Sequence, residues 1–282
     1  MAASPSAAVG HELRRRAVSG FVLAIVTLAA TYAGGWAFAV LWLAAGTALY
    51  AEWIGMVGAP RRGWLVAAAA LSMSALLVAH RFGWPASATF AVMAAALAAA
   101  FAIARDGSRS WAMAGLVPAE LAAVVPVLLR DRADLGTAAI LWIFAVVWST
   151  DVAAYFVGRA LGGPRLAPRI SPKKTWSGFA GGLAAATVAG LLVAAAAMRA
   201  GLSLPLGLLA TGLAAGLASV ASQAGDLGQS AMKRRFGVKD SGRLIPGHGG
   251  VFDRLDGFVA VLLLAGIALL GERLAFQPAG AP

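Results

Sequence analysis

Runs of apolar residues, each long enough to cross a lipid bilayer, recur along the whole chain and decide what it can fold into. A helix needs about 20 residues to span the hydrocarbon core. Such runs fall near 17–34, 36–57, 64–80, 84–104, 112–129, 137–158, 177–198, 202–226 and 252–271. Lipid offers no partner for an open backbone N–H or C=O, so every run has to be a helix. The expected fold is all-α, a polytopic transmembrane protein of about nine spans. Composition excludes a soluble alternative. The chain is 60% hydrophobic and 12% charged, with a mean hydropathy of +0.80. A soluble domain carries about 25% charged residues. Cysteine is absent, which removes disulfides, thiolate chemistry and Cys-ligated zinc, and three histidines leave little for a His-based metal centre.

The net charge of +11 comes from Lys and Arg in short segments between apolar runs. Anionic headgroups and the positive-inside rule explain that placement, and a basic stripe on a soluble fold is missing, so no nucleic-acid partner is expected. With the N-terminus inside, the inner set is Arg14 to Arg16, Arg61, Arg62, Arg105, Arg109, Arg159, Arg165, Arg169, Lys173, Lys174, Lys233 to Arg235, Lys239, Arg243 and Arg254. Arg81, Arg130, Arg132, Arg199 and Arg273 fall outside. This asymmetry predicts an N-terminus inside and puts the polar segments near 159–176 and 227–251 on the cytoplasmic face. Arg14 to Arg16 resemble a signal-peptide n-region, but the run after them is long and lacks a cleavage region, so a retained first helix is expected.

The chain divides by content. Residues 1–135 read as N-terminal membrane helices with few polar features, and 136–282 as a C-terminal catalytic membrane region of the same integral unit. The stretch Gly225–Gly257 packs Asp226, Asp240, Asp253 and Asp256 together with six Lys or Arg residues and His248 between two spans. Ser230, Lys233 and Arg234 follow Asp226 at i+4, i+7 and i+8, on one helical face. A carboxylate, a hydroxyl and two cations pointing one way suit a hard cation beside phosphates. Pro246 to Gly250 cannot be ordinary helix, and its glycines, Gly249 and Gly250 among them, expose N–H groups to an anion. Asp253 and Asp256, three apart at the start of the last helix, either face one site or simply sit where the helix dipole favours carboxylates.

A second constellation runs from Trp148 to Gly182. Asp151 interrupts an apolar span, which costs a few kcal/mol unless it finds a partner or a wet cavity. Downstream come Arg159, Arg165, Arg169, Ser171, Lys173 and Lys174. Carboxylates bind Mg²⁺, and Mg²⁺ with Lys and Arg neutralises polyphosphate. The residues therefore point to a phosphorylated lipid and a nucleotide, without naming the nucleotide.

These motifs resemble the phosphatidate cytidylyltransferase (CDP-diacylglycerol synthase) family. The family's run of a Ser, Lys-Arg, Lys-Asp, Pro-x-His-Gly-Gly and Asp-Arg-x-Asp is met by Ser230, Lys233-Arg234, Lys239-Asp240, Pro246 to Gly250 and Asp253 to Asp256. Asp151 with Ala154-Tyr155, and Ser171 to Thr175, also resemble it. The motifs cover the C-terminal half; the first half matches as hydrophobic spans alone. Gln229 and Ser177 depart from the pattern, standing where Glu is common. The resemblance implies transfer of CMP from CTP to phosphatidate, giving CDP-diacylglycerol and pyrophosphate, with Mg²⁺ and room for a second cation. It implies a homodimer in the inner (cytoplasmic) membrane. It assigns the metal to Asp226, Asp253 and Asp256, and catalytic roles to Asp226, Asp253, Lys239, Arg254 and His248. Substrate binding falls to Asp151, Ser171, Lys173, Lys174, Ser230, Lys233, Arg234, Gly249 and Gly250.

Two other classes of membrane protein share parts of this pattern. A CTP-using lipid kinase shares the cation and the lipid but moves only the terminal phosphoryl group. A transporter with Asp151 and Asp226 on an ion path would show inverted halves with broken helices in both, whereas the polar residues here crowd the second half. Glu52 and Glu120 lie in spans without a companion motif and read as helix–helix hydrogen bonds or interfacial residues. Trp36, Trp53 and Trp84 read as interface anchors.

Overall fold

The computed structural model describes residues 5–105, 107–245, 247 and 249–275, with side chains between Val18 and Glu272. Among the described residues, the helices are α1 (Pro5–Ala33), α2 (Gly35–Val57), α3 (Arg62–Arg81), α4 (Ala86–Ile103), α5 (Arg109–Arg130), α6 (Gly136–Leu161), α7 (Trp176–Arg199), α8 (Gly207–Arg235) and α9 (Phe252–Ala275). Helices α2 to α9 are each long and apolar enough to cross a membrane, and α1 adds the shorter apolar stretch Val18–Ala33. The protein is a polytopic helical membrane protein.

Two local features refine that expectation. Between α6 and α7 the chain forms a small antiparallel hairpin, β1 (Arg165–Ala167) and β2 (Ser171–Thr175), pairing Arg165 with Thr175 and Ala167 with Ser171. Pro164, Pro168 and Pro172 recur every fourth residue and forbid a helix there, while both strands, being edges, tolerate a missing N–H. The eighth helix begins at Gly207 rather than near 202, past Pro205, and runs on to Arg235, well beyond the expected end at 226. Lys233, Arg234 and Arg235 sit in its last turn, where cations oppose the negative end of the helix dipole. Gly237 (φ +67°) then stops it: Gly237 N donates to Arg234 O at 3.2 Å and Val238 N to Lys233 O at 3.0 Å, the bonding of a left-handed glycine cap. The motif residues Asp226 to Arg235 are therefore helical, and the connecting segment proper is 236–251.

The chain folds as two compact units, residues 1–131 with 233–255, and residues 132–232 with 256–282. In the first, α2 packs on α5 and α3. Gly46 lets α2 approach the α5 backbone, where a Cβ would lie 2.6 Å from Ala119 O. Tyr50 Oη donates to Ala112 O at 2.9 Å and Trp53 Nε1 to Trp111 O at 2.8 Å. Trp53 is thus buried and bonded rather than an interface anchor, while Trp36 and Trp84 are exposed. Ser72 Oγ donates to Glu120 Oε1 at 3.1 Å, the helix–helix hydrogen bond expected of Glu120.

In the second unit α6 and α7 run against each other along a seam of small residues. A Cβ on Gly178 would meet Ala154 O at 2.7 Å, and one on Gly182 would meet Thr150 O at 2.9 Å. In lipid, helices gain nothing from burying apolar surface, so close backbone approach and buried hydrogen bonds hold them instead. Thr150 Oγ1 donating to Ser219 Oγ at 2.9 Å ties α6 to α8 in this way, and Gly225 brings α8 against the backbone of α9 at Asp256 O, 2.7 Å from its virtual Cβ.

Candidate functional site

Each unit carries its own cluster of the motif residues. In the second unit the centre is Asp226 on α8. Lys174, from β2 of the hairpin, forms an ion pair with its carboxylate. Ser230, one turn further along α8, donates to Asp226 Oδ1 at 3.4 Å. Side chains alternate along a strand, so Lys174 turns to Asp226 while Lys173 is exposed. Thr175 closes the hairpin and caps α7, its hydroxyl accepting from Gly178 N at 3.1 Å. Ser177 donates to Gly162 O at 2.5 Å and lies 3.0 Å from the Thr175 hydroxyl. At this departure from the family pattern the serine fastens the end of α6 to the start of α7.

Asp256 on α9 feels the negative charges of Asp226 and Asp151 and the positive charge of Lys174. Asp226, Asp151 and Lys174 are thus close enough to Asp256 for their charges to act on it. Ser171, first residue of the same strand, is half-buried. Gln229, the other departure, is buried on α8.

In the first unit the centre is Asp253, at the start of α9. Its Oδ1 accepts from Lys233 Nζ at 2.8 Å, and its Oδ2 accepts from Ser241 N at 2.8 Å and Gly250 N at 3.0 Å. Gly249 (φ +84°) closes a tight turn by accepting from Ile245 N at 2.9 Å. A Cβ there would lie 2.9 Å from Asp253 Oδ2, so glycine is required by both conformation and space. Arg234, Lys239, Asp240 and Arg254 are exposed around this segment. His248, expected in a catalytic role, lies outside the described residues.

Glu52, read from the sequence as a helix–helix hydrogen bond or an interfacial residue, does bond to another helix, but the sequence did not show that its partners lie in the motif segment. Its side chain, 3% exposed, leaves α2 and meets the motif segment. Oε2 accepts from Ser241 Oγ at 2.8 Å and Phe252 N at 2.9 Å, and Oε1 accepts from Val251 N at 2.9 Å. Phe252 opens α9, so the carboxylate covers orphan N–H groups at a helix N-terminus. Gly242 and Gly250 make room for it: a Cβ on either would overlap the Glu52 carboxylate. In the same unit Phe252, Trp53, Trp111 and Phe236 form a row of rings, with centroids 5.7, 6.5 and 5.1 Å apart in that order. The signal available in the sequence was a carboxylate inside a span, worth about 3 kcal/mol against insertion if left alone.

The carboxylates fit the implied Mg²⁺ by donor chemistry, being hard oxygens with no sulfur among them. Among the described residues no three His, Cys, Asp or Glu side chains form a ready metal cage. Mg²⁺ asks for none, since it is commonly held by one or two carboxylates, waters and the substrate's own phosphates.

A polytopic helical protein that pairs carboxylates with lysines at Lys174–Asp226 and Lys233–Asp253 has the make-up of a membrane enzyme. A family model described as "Cytidylyltransferase family" matches residues 14–270, and the chain belongs to that family. It is similar to a phosphatidate cytidylyltransferase of Brucella suis biovar 1, at 44% identity over 256 residues, covering 90% of this chain and 92% of that one. The phosphatidate cytidylyltransferases of Bacillus subtilis and Staphylococcus haemolyticus match 48% and 49% of this chain at 43% and 45% identity.

Proposed function

We propose that this protein transfers CMP from CTP to phosphatidate, forming CDP-diacylglycerol and releasing pyrophosphate, in the inner membrane with the N-terminus and the motif segments on the cytoplasmic side. The observation that carries the reading is the near full-length similarity to a protein named phosphatidate cytidylyltransferase, in a chain whose polar motif residues run in order from Asp151 to Asp256.

A phosphate oxygen of phosphatidate attacks the α-phosphorus of CTP. The new P–O bond forms as the bond from the α-phosphorus to the α,β-bridging oxygen breaks, and pyrophosphate leaves with that electron pair. The attacking oxygen is already anionic near neutral pH, so no strong base is needed. The barrier is repulsion between two anions, and catalysis reduces to positioning and charge stabilisation. Mg²⁺, when bound, supplies positive charge against the reacting phosphates. Asp226 and Asp256 are the carboxylates of the second unit proposed to hold it, Asp256 being also a candidate for a second cation, and Asp151 is proposed to serve substrate binding. For Asp253 as a ligand the support is the motif resemblance, since both its oxygens are engaged within the first unit. Lys173, Lys174, Lys239 and Arg254 are proposed to hold phosphate oxygens. Gly249 and Gly250, with His248, are proposed to contact the triphosphate, and Ser171, Ser230, Lys233 and Arg234 to complete substrate binding. The active form is proposed to be a homodimer, which light scattering of the purified protein tests.

Purified protein in detergent, given phosphatidate, CTP and Mg²⁺, should yield CDP-diacylglycerol by mass spectrometry and one pyrophosphate per lipid converted. Release of CDP in place of pyrophosphate would make the protein a lipid kinase.

A further inference from the structure

Glu52 stands in α2, in the half of the chain that carries none of the family motifs, yet its three hydrogen bonds among the described residues go to the segment that carries them. The donors are the Ser241 hydroxyl, Val251 N and Phe252 N, between 2.8 and 2.9 Å away. They lie 189 to 200 residues further along the chain. They bracket the segment: Ser241 is near its start, and Val251 and Phe252 are at its junction with α9. The same two ends are also held by Asp253, which accepts from Ser241 N and Gly250 N. Ser241 is thus held twice, by its hydroxyl and by its amide. Gly242 and Gly250 flank the carboxylate where no side chain fits.

We propose that Glu52 is a positioning residue for the transferase reaction: from α2 its carboxylate fixes both ends of the segment Ser241–Phe252, and through them the glycine turn and the first turn of α9. The proposal rests on the reading above, in which that turn and Arg254 serve the triphosphate. Val251 has no side-chain oxygen with which to cap α9, so Glu52 supplies the cap from another helix. Glutamate is the residue the geometry requires. In Glu52→Gln the amide NH₂ must face either Val251 N–H or Phe252 N–H, so a donor meets a donor in both orientations. Aspartate is one methylene too short to keep all three contacts.

The test compares the parent with Glu52→Gln in detergent, by steady-state kinetics, thermal unfolding and amide hydrogen exchange. The positioning role predicts a CTP KM raised about tenfold and a kcat lowered about tenfold, with the phosphatidate KM within about twofold. It also predicts faster exchange at Val251 and Phe252 while the spans stay protected. A merely structural role would instead lower kcat in step with the folded fraction and leave both KM values alone; that result, parent-like turnover, or unchanged exchange at Val251 and Phe252 would overturn the proposal. If Glu52→Gln does not fold, Ser241→Ala removes one of the three donors, and a CTP KM raised about threefold is expected, with an unchanged value counting against the proposal. A parent that transfers no CMP overturns the reading of the reaction itself, and the exchange rates then decide the clamp alone.

Discussion

At the scale of single residues, two of the motif aspartates sit against identifiable partners. Asp226 has Lys174 and Ser230; Asp253 has Lys233 and two backbone amides. Replacing Asp226 with Asn keeps the volume but removes the charge that pairs with Lys174. Turnover should fall about 100-fold or more, as when a group stabilising developing charge is lost, with membrane insertion unchanged; near-parent turnover would remove Asp226 from the mechanism. Gly250→Ala places a methyl group against both the Glu52 carboxylate and the Ser241 hydroxyl. It should cost about 2 kcal/mol in detergent unfolding, the scale of an overpacked site. Gly228→Ala is the control. No atom lies within 4 Å of its virtual Cβ, and in a helix interior alanine should be neutral or stabilising by about 0.5–1 kcal/mol. The partners of Glu52 were not legible in advance because they are remote in sequence. A lone carboxylate in an apolar run shows that a partner is needed, not which one.

At the scale of elements, the helices were legible because lipid permits nothing else and because length and apolar content mark them. Their ends were less so. Apolar content ends near 226, but helix α8 continues to Arg235 because nothing in Asp226–Arg235 breaks a helix and its terminal cations favour one. The hairpin was hidden for a related reason: three regularly spaced prolines announce an absence of helix, while the pairing of Arg165 with Thr175 depends on the turn between the strands. Its function follows from its anchoring. Thr175 is both the last residue of β2 and the cap of α7, so the position of Lys174 is set by that cap. Thr175→Ala should cost about 1 kcal/mol in thermal unfolding and weaken CTP binding, and Thr175→Ser should restore both. A Thr175→Ala protein with parent stability and kinetics would contradict this coupling.

At the scale of the whole molecule, the sequence divides by content near residue 135, whereas the compact units group residues 233–255 with the first 131. Composition cannot show this, because the contacts that join the motif segment to the N-terminal helices, the Glu52 hydrogen bonds and the Trp53–Phe252 and Trp111–Phe236 ring contacts, link residues remote in sequence. The apolar first half is thereby more than a membrane anchor: it holds part of the motif region. Orientation is open to direct measurement, since the chain contains no cysteine. Single cysteines at Arg169 and Arg243 should react with impermeant reagent from the cytoplasmic side, and one at Gly201 from the opposite side, as the Lys and Arg asymmetry predicts; the reverse pattern would invert the topology. The central claim is the transfer itself, and CTP labelled separately in the cytosine and the γ-phosphate tests it most directly. With phosphatidate and Mg²⁺, the account predicts cytosine label in the lipid and γ-label released as pyrophosphate. γ-Label in the lipid without cytosine would contradict it.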